Sequence, residues 1–210
     1  MTAARRSLRP KLAAVAAAML AAGAALAATA GPASAATTIK AKYKVTGSTY
    51  IKAPNFTLSL GPGRLVSRVD TKTGKLTARL SLPDATGSFT QFGLPVTATT
   101  KFINDGPTTG RLNLNTGAVR TKSKITLRIV SLTVAGLPVP VGNSCQTQHA
   151  VVVRVASQPG FNVLNGGNLA GGYTIPDFTG CGLATALINL TIPGGGNTIT
   201  LTLGKAKLGR

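Results

Sequence analysis

Alternation of apolar and polar residues dominates the chain after residue 35. The segments TIKAKYKV (residues 38–45) and KLTARLSL (75–82) place apolar side chains at every second position. The segment AVRTKSKITLRIV (118–130) alternates a mainly cationic face with a face formed by Val119, Thr121, Ser123, Ile125, Leu127 and Ile129. Successive side chains of a strand point to opposite faces, so this period is typical of a sheet with one dry and one wet face. The pattern predicts an all-β protein.

Turn residues fall between the alternating segments. Thr73-Gly74 and Thr116-Gly117 each join two such runs, and glycine supplies the positive φ that closes a short hairpin. We count eight to ten short strands, which favours a single antiparallel β-sandwich of Greek-key or immunoglobulin-like type. Residues 184–190 could form one short helix or a further strand.

The first 35 residues have the order of a secretory signal peptide. A cationic start is followed by an uncharged alanine-rich run from Leu12 to Thr29, and Ala33-Ser34-Ala35 supplies a small-residue cleavage pattern. We therefore expect cleavage after Ala35 and a single mature domain over residues 36–210. After processing, no run is long and apolar enough to span a bilayer as a helix.

The mature chain is strongly basic. Removing the four cations of the leader from the formal net charge of +19 leaves +15, and the chain has only four acidic residues. Most of the cations lie between Lys40 and Arg128, whereas the second half is nearly neutral and rich in Gly, Asn and Thr. Such a charge favours anionic partners.

The two cysteines of the chain, Cys145 and Cys181, form an even pair in an exported protein. This pattern predicts a disulfide rather than a reactive thiol.

Three features of the sequence could carry chemistry. The run Pro193–Asn197 has three glycines but lacks the Gly-Lys-Ser/Thr ending of a phosphate-binding loop, so we interpret it as a tight turn. His149, the single histidine, could serve a hydrolase together with Asp177 or Asp105, or could simply pack near the disulfide. No clustered ligand set indicates a metal, and we expect no catalytic residue and no cofactor.

The basic strand faces are the strongest functional lead. Their cations are predicted to form parallel rows on one wet sheet face: Lys40, Lys42, Lys44, Arg120, Lys122, Lys124 and Arg128. Positive potential of this density concentrates anions. The alternative is that these side chains only keep the surface soluble and protect edge strands from aggregation.

The expected partners are anionic polymers of the cell envelope or an anionic lipid surface. Specific nucleic-acid binding is disfavoured because single-strand binding uses aromatic platforms between the cations, and the chain has no Trp, three Tyr and six Phe.

The last third of the chain resembles a group of small actinobacterial secreted proteins of unknown function. The resemblance rests on Ser144–Thr147, on Cys181-Gly182 before an apolar stretch, and on the turn Pro193–Asn197. It implies a disulfide and an extracellular location, and it implies no activity.

Three functions follow as hypotheses. The first is a secreted, non-enzymatic envelope or extracellular protein, with the cell wall as a candidate location, whose basic sheet face binds wall polymers, anionic lipid or acidic polysaccharide. The second is a binding module for an apolar or glycan ligand that uses the neutral second half. The third is a hydrolase that uses His149 with an aspartate.

Overall fold

The computed structural model describes residues 37–209, and strands cover most of them. The strands are β1 (Thr38–Ile51), β2 (Phe56–Asp70), β3 (Lys75–Ser81), β4 (Ala85–Gln91), β5 (Leu94–Asn104), β6 (Thr108–Leu112), β7 (Val119–Val134), β8 (Leu137–Pro138), β9 (Gln146–Thr147), β10 (Val151–Ser157), β11 (Gly167–Ile175), β12 (Phe178–Thr179), β13 (Gly194–Leu203) and β14 (Lys207–Gly209). A 3₁₀ turn at Gly182–Ala184 leads into the short helix α1, Thr185–Thr191. The prediction of an all-β chain is confirmed. The expected signal peptide and its cleavage after Ala35 lie outside the described residues and stay predictions.

Eight strands close into an antiparallel barrel, so the prediction of a β-sandwich is wrong. The order around the ring is β1, β2, β3, β6, β7, β10, β11, β13 and back to β1. The ring closes because β13 pairs with β1, from Val45 opposite Leu203 to Tyr50 opposite Thr198. Ring neighbours follow one another in chain order, which is an up-and-down rather than a Greek-key arrangement. Alternation describes one strand at a time and is the same in a sandwich and a barrel, so it could not separate the two folds.

One end of the barrel is closed by a second, smaller layer. The far half of β7 extends beyond its barrel neighbours and pairs with β5, which pairs with β4. These strands, the short β8, β9 and β12, and α1 enclose a second hydrophobic core. Its most deeply buried members include Ile129, Phe178 and Ile188. We call this end the closed end.

The predicted disulfide is confirmed and belongs to this second core. Cys145 and Cys181 are bonded, and both are fully buried. The bond holds the segment before β9 against the 3₁₀ turn that precedes α1. In addition, Asn189 of α1 hydrogen-bonds both backbone groups of Phe178, with its Oδ1 accepting from the N–H at 2.7 Å and its Nδ2 donating to the carbonyl at 3.0 Å.

The glycine-rich run Pro193–Asn197 leads from α1 into β13. Gly196 has a φ of +77°, a conformation that residues with a side chain rarely adopt. Asn197 is 2% exposed; its Oδ1 accepts from the N–H of Lys52 at 3.0 Å, and its Nδ2 donates to the carbonyls of Gly194 at 2.8 Å and Tyr173 at 3.3 Å. Gly194–Asn197 are therefore the irregular start of β13, where the pairing with β11 shifts between Tyr173 and Ile175, rather than the separate tight turn that the sequence predicts.

Candidate functional site

Most of the side chains that face the interior of the barrel are apolar. On β1, Ala41, Tyr43 and Val45 point inward and are buried, whereas Lys42 and Lys44 between them are exposed. All eight barrel strands repeat this arrangement, because a closed barrel has one inner face that collects every second side chain.

This interior, the lumen, is not completely filled by side chains. A cavity of about 190 Å³, the main chamber, occupies the end away from the closed end. A smaller chamber of about 80 Å³ lies toward the closed end. Four side chains line both chambers and mark the boundary between them: Leu80, Ile125, Val153 and Ile199.

Most of the polar side chains of the main chamber are hydrogen-bonded to protein. The Ser67 hydroxyl donates to the Ala41 carbonyl at 3.3 Å, and the hydroxyls of Thr108 and Ser123 are 2.7 Å apart. Among residues 37–209, every buried side-chain nitrogen or oxygen has a hydrogen-bond partner. The wall therefore presents mainly apolar surface to a ligand; among the described lining residues, Thr121 is the polar side chain without a hydrogen bond.

The main chamber opens at the end of the barrel opposite the closed end. Four of the side chains that line it are between 44% and 59% exposed: Ile39, Leu114, Leu164 and Leu208. A side chain that is half exposed and also lines a cavity lies where the cavity meets solvent. We call these four residues the mouth.

A loop between β10 and β11, residues 158–166, lies against the mouth. The hydroxyl of Tyr43, inside the barrel, donates to the Val163 carbonyl at 2.8 Å. The N–H of Ala206 donates to the Leu164 carbonyl at 2.8 Å. Burial raises the pKa of Tyr43, which keeps the hydroxyl protonated and able to donate. The loop is thus tied to the lumen wall and to the C-terminal segment by one bond each.

The seven predicted anion-binding cations are not all on one face. Lys40, Lys42 and Lys44 lie on β1, and Arg120, Lys122 and Lys124 lie on β7. These strands are four places apart in a ring of eight, so the two rows lie on opposite sides of the barrel. Arg128, further along β7, is engaged by Gln146, whose Oε1 accepts from Nη2 at 2.9 Å and from Nε at 3.3 Å.

The β1 row is instead joined by cations that the sequence interpretation missed. Five basic side chains line one open concavity on the outer wall, the basic groove: Lys42, Lys44, Arg64, Lys205 and Lys207. The pairing of β1 with β2 and β14 brings them together, because Lys44 lies opposite Arg64 and Lys42 lies opposite Lys207. Counting back from the turn between β1 and β2, residues 52–55, does not give this register, since a bulge shifts the pairing of the two strands between Val45 and Gly47.

The candidate hydrolase residues are not assembled. His149 is exposed in the bend between β9 and β10. The N–H of Gln148 donates to the backbone carbonyl of Asp177 at 2.8 Å, which places these segments side by side. Within residues 37–209, however, no hydroxyl or carboxylate is hydrogen-bonded to the imidazole of His149.

No group of three or more possible metal ligands is found in the described part of the chain. α1 has seven residues, and among the described residues no helix has the length and hydropathy needed to cross a membrane.

In comparisons with family models, with curated proteins and with solved structures, the chain has no match.

Proposed function

We propose that the protein binds a small apolar molecule, or the alkyl part of a larger one, in the main chamber of its barrel. The observation that carries this proposal is a chamber of about 190 Å³ with an apolar wall that opens between four exposed apolar side chains. Eight-stranded barrels have an interior that side chains can fill or that can hold one small ligand.

The size of the chamber limits the ligand. An apolar cavity of about 150 Å³ in another protein stays dry and binds benzene, so the main chamber has room for one aromatic ring or a short alkyl chain. A longer ligand could enter the smaller chamber only if the side chains at the boundary between the two chambers moved. These side chains are Leu80, Ile125, Val153 and Ile199.

The wall also distinguishes between the apolar and glycan ligands that the sequence left open. A sugar loses hydrogen bonds to water on binding, and a mainly apolar wall replaces few of them. Apart from Thr121, the polar side chains that line the main chamber among the described residues are bonded to one another or to backbone. The lumen therefore favours an apolar ligand, and both halves of the chain contribute to it, not only the neutral second half.

Filling the chamber should abolish ligand binding. Ala78 is 6% exposed and lines the main chamber, so Ala78→Phe places a ring inside it. We expect the dissociation constant for benzene, measured by titration calorimetry, to rise at least tenfold. Binding to the unmodified protein should change less than twofold between low and high salt, because no charge is involved.

The matched control is Ala156→Phe, which adds the same ring on β10 on the outer wall. It should leave benzene binding unchanged. Circular dichroism checks that each variant is folded, and Ala78→Leu gives a milder filling with an intermediate loss. Absence of saturable benzene binding by the unmodified protein, or unchanged binding by a folded Ala78→Phe variant, would contradict the proposal.

A second candidate function is reversible binding of linear polyanions such as wall polymers or acidic polysaccharides. It is supported by the basic groove, where five cations converge on one concavity of the outer wall. A groove concentrates positive potential more than a flat surface does. This candidate keeps Lys42 and Lys44 of the predicted set and replaces the β7 row with Arg64, Lys205 and Lys207.

Position, rather than net charge, should decide polyanion affinity. We expect Lys42→Gln, Lys44→Gln and Arg64→Gln together to weaken binding of long-chain polyphosphate at least tenfold at moderate salt. The control removes Lys122, Lys124 and Arg154 from the opposite wall, an equal loss of charge, and should weaken binding less than threefold. Equal losses in the two triple variants would show only general attraction to a basic surface.

A further inference from the structure

We propose that the mouth of the barrel docks on an anionic lipid bilayer, so that the main chamber opens toward the membrane. The biological purpose of this docking rests on the proposed binding of an apolar ligand, but the docking itself can be tested separately. The proposal comes from the coincidence, at one end of the barrel, of exposed apolar side chains, cations and the opening of the cavity.

The mouth presents apolar side chains that the fold does not cover. Ile39 precedes the inward row of β1, Leu114 is in the turn between β6 and β7, Leu164 is in the loop over the opening, and Leu208 is on β14. All four line the same chamber and are about half exposed. Side chains in this arrangement can enter the acyl region together while the barrel stays above the surface.

Cations surround the mouth at the level where lipid headgroups would lie. Cross-strand pairing brings Lys40 opposite Arg68, and it brings Arg111 opposite both Lys75 and Arg120. Asp70 is the nearest carboxylate along β2, and its Oδ1 accepts backbone N–H groups of its own turn, from Lys72 and Thr73 at 2.9 Å each. Long basic side chains reach anionic headgroups while their stems lie along apolar surface.

The closed end provides an internal comparison because it also has exposed apolar side chains. Phe92, Leu137 and Leu190 are each about 70% exposed. The outermost segments of this end, residues 85–98, 129–141 and 182–196, contain neither lysine nor arginine. Its nearest cations are Lys52, which lies against Gly196, and the pair Lys101 and Arg128, of which Arg128 is bonded to Gln146. An anionic bilayer therefore attracts the mouth more strongly than the closed end. This difference in charge is why we assign the membrane to the mouth.

Single tryptophan reporters can identify which end enters the bilayer. The natural chain has no Trp, so Leu164→Trp and Leu190→Trp each carry one reporter, at the mouth and at the closed end. With vesicles of phosphatidylglycerol and phosphatidylcholine, we expect brominated acyl chains to quench Leu164→Trp strongly and Leu190→Trp little. Quenching of Leu190→Trp alone would overturn the proposal.

Vesicle flotation measures the contributions of apolar side chains and charge. We expect Leu164→Ser with Leu208→Ser to weaken binding to phosphatidylglycerol vesicles at least tenfold, and the matched pair Leu187→Ser with Leu190→Ser to weaken it less than twofold. Vesicles of phosphatidylcholine alone should bind at least tenfold more weakly. All four positions are exposed, so the substitutions should leave the fold intact.

Three further outcomes would overturn the proposal: no binding to phosphatidylglycerol vesicles, equal losses in the two serine pairs, or binding without quenching of Leu164→Trp. The last result would mean that vesicles bind to the outer wall of the barrel, as a soluble polyanion would.

The Ala78→Phe variant separates this proposal from the ligand proposal, because it should lose benzene binding and keep vesicle binding. In the unmodified protein, vesicle binding without benzene binding would contradict the ligand proposal alone, and benzene binding without vesicle binding would contradict the docking proposal alone.

Discussion

Replacing Cys145 and Cys181 together by alanine should lower the free energy of unfolding by about 4 kcal/mol. The bond closes a loop with a sequence separation of 36 residues, and in the chain-entropy model a loop of this length is worth roughly that amount. Both cysteines are fully buried, so the alanines also lose packing in the second core. The loss should be concentrated at the closed end, because the barrel core is formed by other residues.

Urea unfolding followed by circular dichroism measures this change, with the slope of the transition compared between variants. Leu183→Ala is the control, since Leu183 lies two residues from Cys181 and is fully exposed. Its free energy of unfolding should stay within about 0.5 kcal/mol of the unmodified protein. A cysteine-free variant destabilised by less than about 1 kcal/mol would contradict the prediction. The folded fraction of the cysteine-free variant should still bind benzene, because the main chamber does not include the second core.

Asn197→Ala should lower the free energy of unfolding by about 3 kcal/mol, because leaving buried hydrogen-bonding groups without a partner is costly. The Asn197 side chain serves three backbone groups: the N–H of Lys52 and the carbonyls of Tyr173 and Gly194. It therefore joins the end of β1, the end of β11 and the start of β13, where the barrel closes. Its loss should loosen that closure.

The matched control is Asn168→Ala on the neighbouring strand β11. Asn168 is exposed, and its Oδ1 accepts one hydrogen bond, from the hydroxyl of Thr202. We expect a loss of at most about 0.5 kcal/mol there, since water can replace the partner. Thermal and urea unfolding of the two variants measure the difference. Equal effects would mean that the Asn197 side chain is not a structural latch.

Much of the barrel wall could be predicted before its shape was known. The inward row of β1 and the outward lysines follow from alternation, and the hairpins at Thr73-Gly74 and Thr116-Gly117 are present, with β2 paired to β3 and β6 paired to β7. These features are local, because side-chain direction and turn conformation depend on a few neighbouring residues.

The candidate site could not be predicted in the same way. Ile39, Leu114, Leu164 and Leu208 are spread over most of the chain, and nothing near each of them indicates that they meet. Leu208 reaches the mouth only because β14 pairs with β1. The pairing of distant strands creates the opening, and a local pattern contains no information about that pairing.

The two predicted rows of cations illustrate the same limit. Alternation correctly predicted that the cations of β1 and β7 point outward from the sheet. However, the same alternation occurs in an open, flat sheet and in a closed barrel wall. Once the ring closes, rows four strands apart face away from each other, and Lys42 and Lys44 meet Arg64, Lys205 and Lys207 instead. The disulfide was predictable because two cysteines allow one intramolecular pairing.

The sequence by itself determined the strands, most of their inward and outward faces, the disulfide and the excess of positive charge, because each depends on residue type or near-neighbour spacing. The tertiary structure alone decided that β13 closes onto β1, and closure turns one dry face into an enclosed lumen with a single inner wall. That closure also sets which exposed leucines and cations share an end of the barrel, since proximity across a ring depends on strand order and register rather than on distance along the chain.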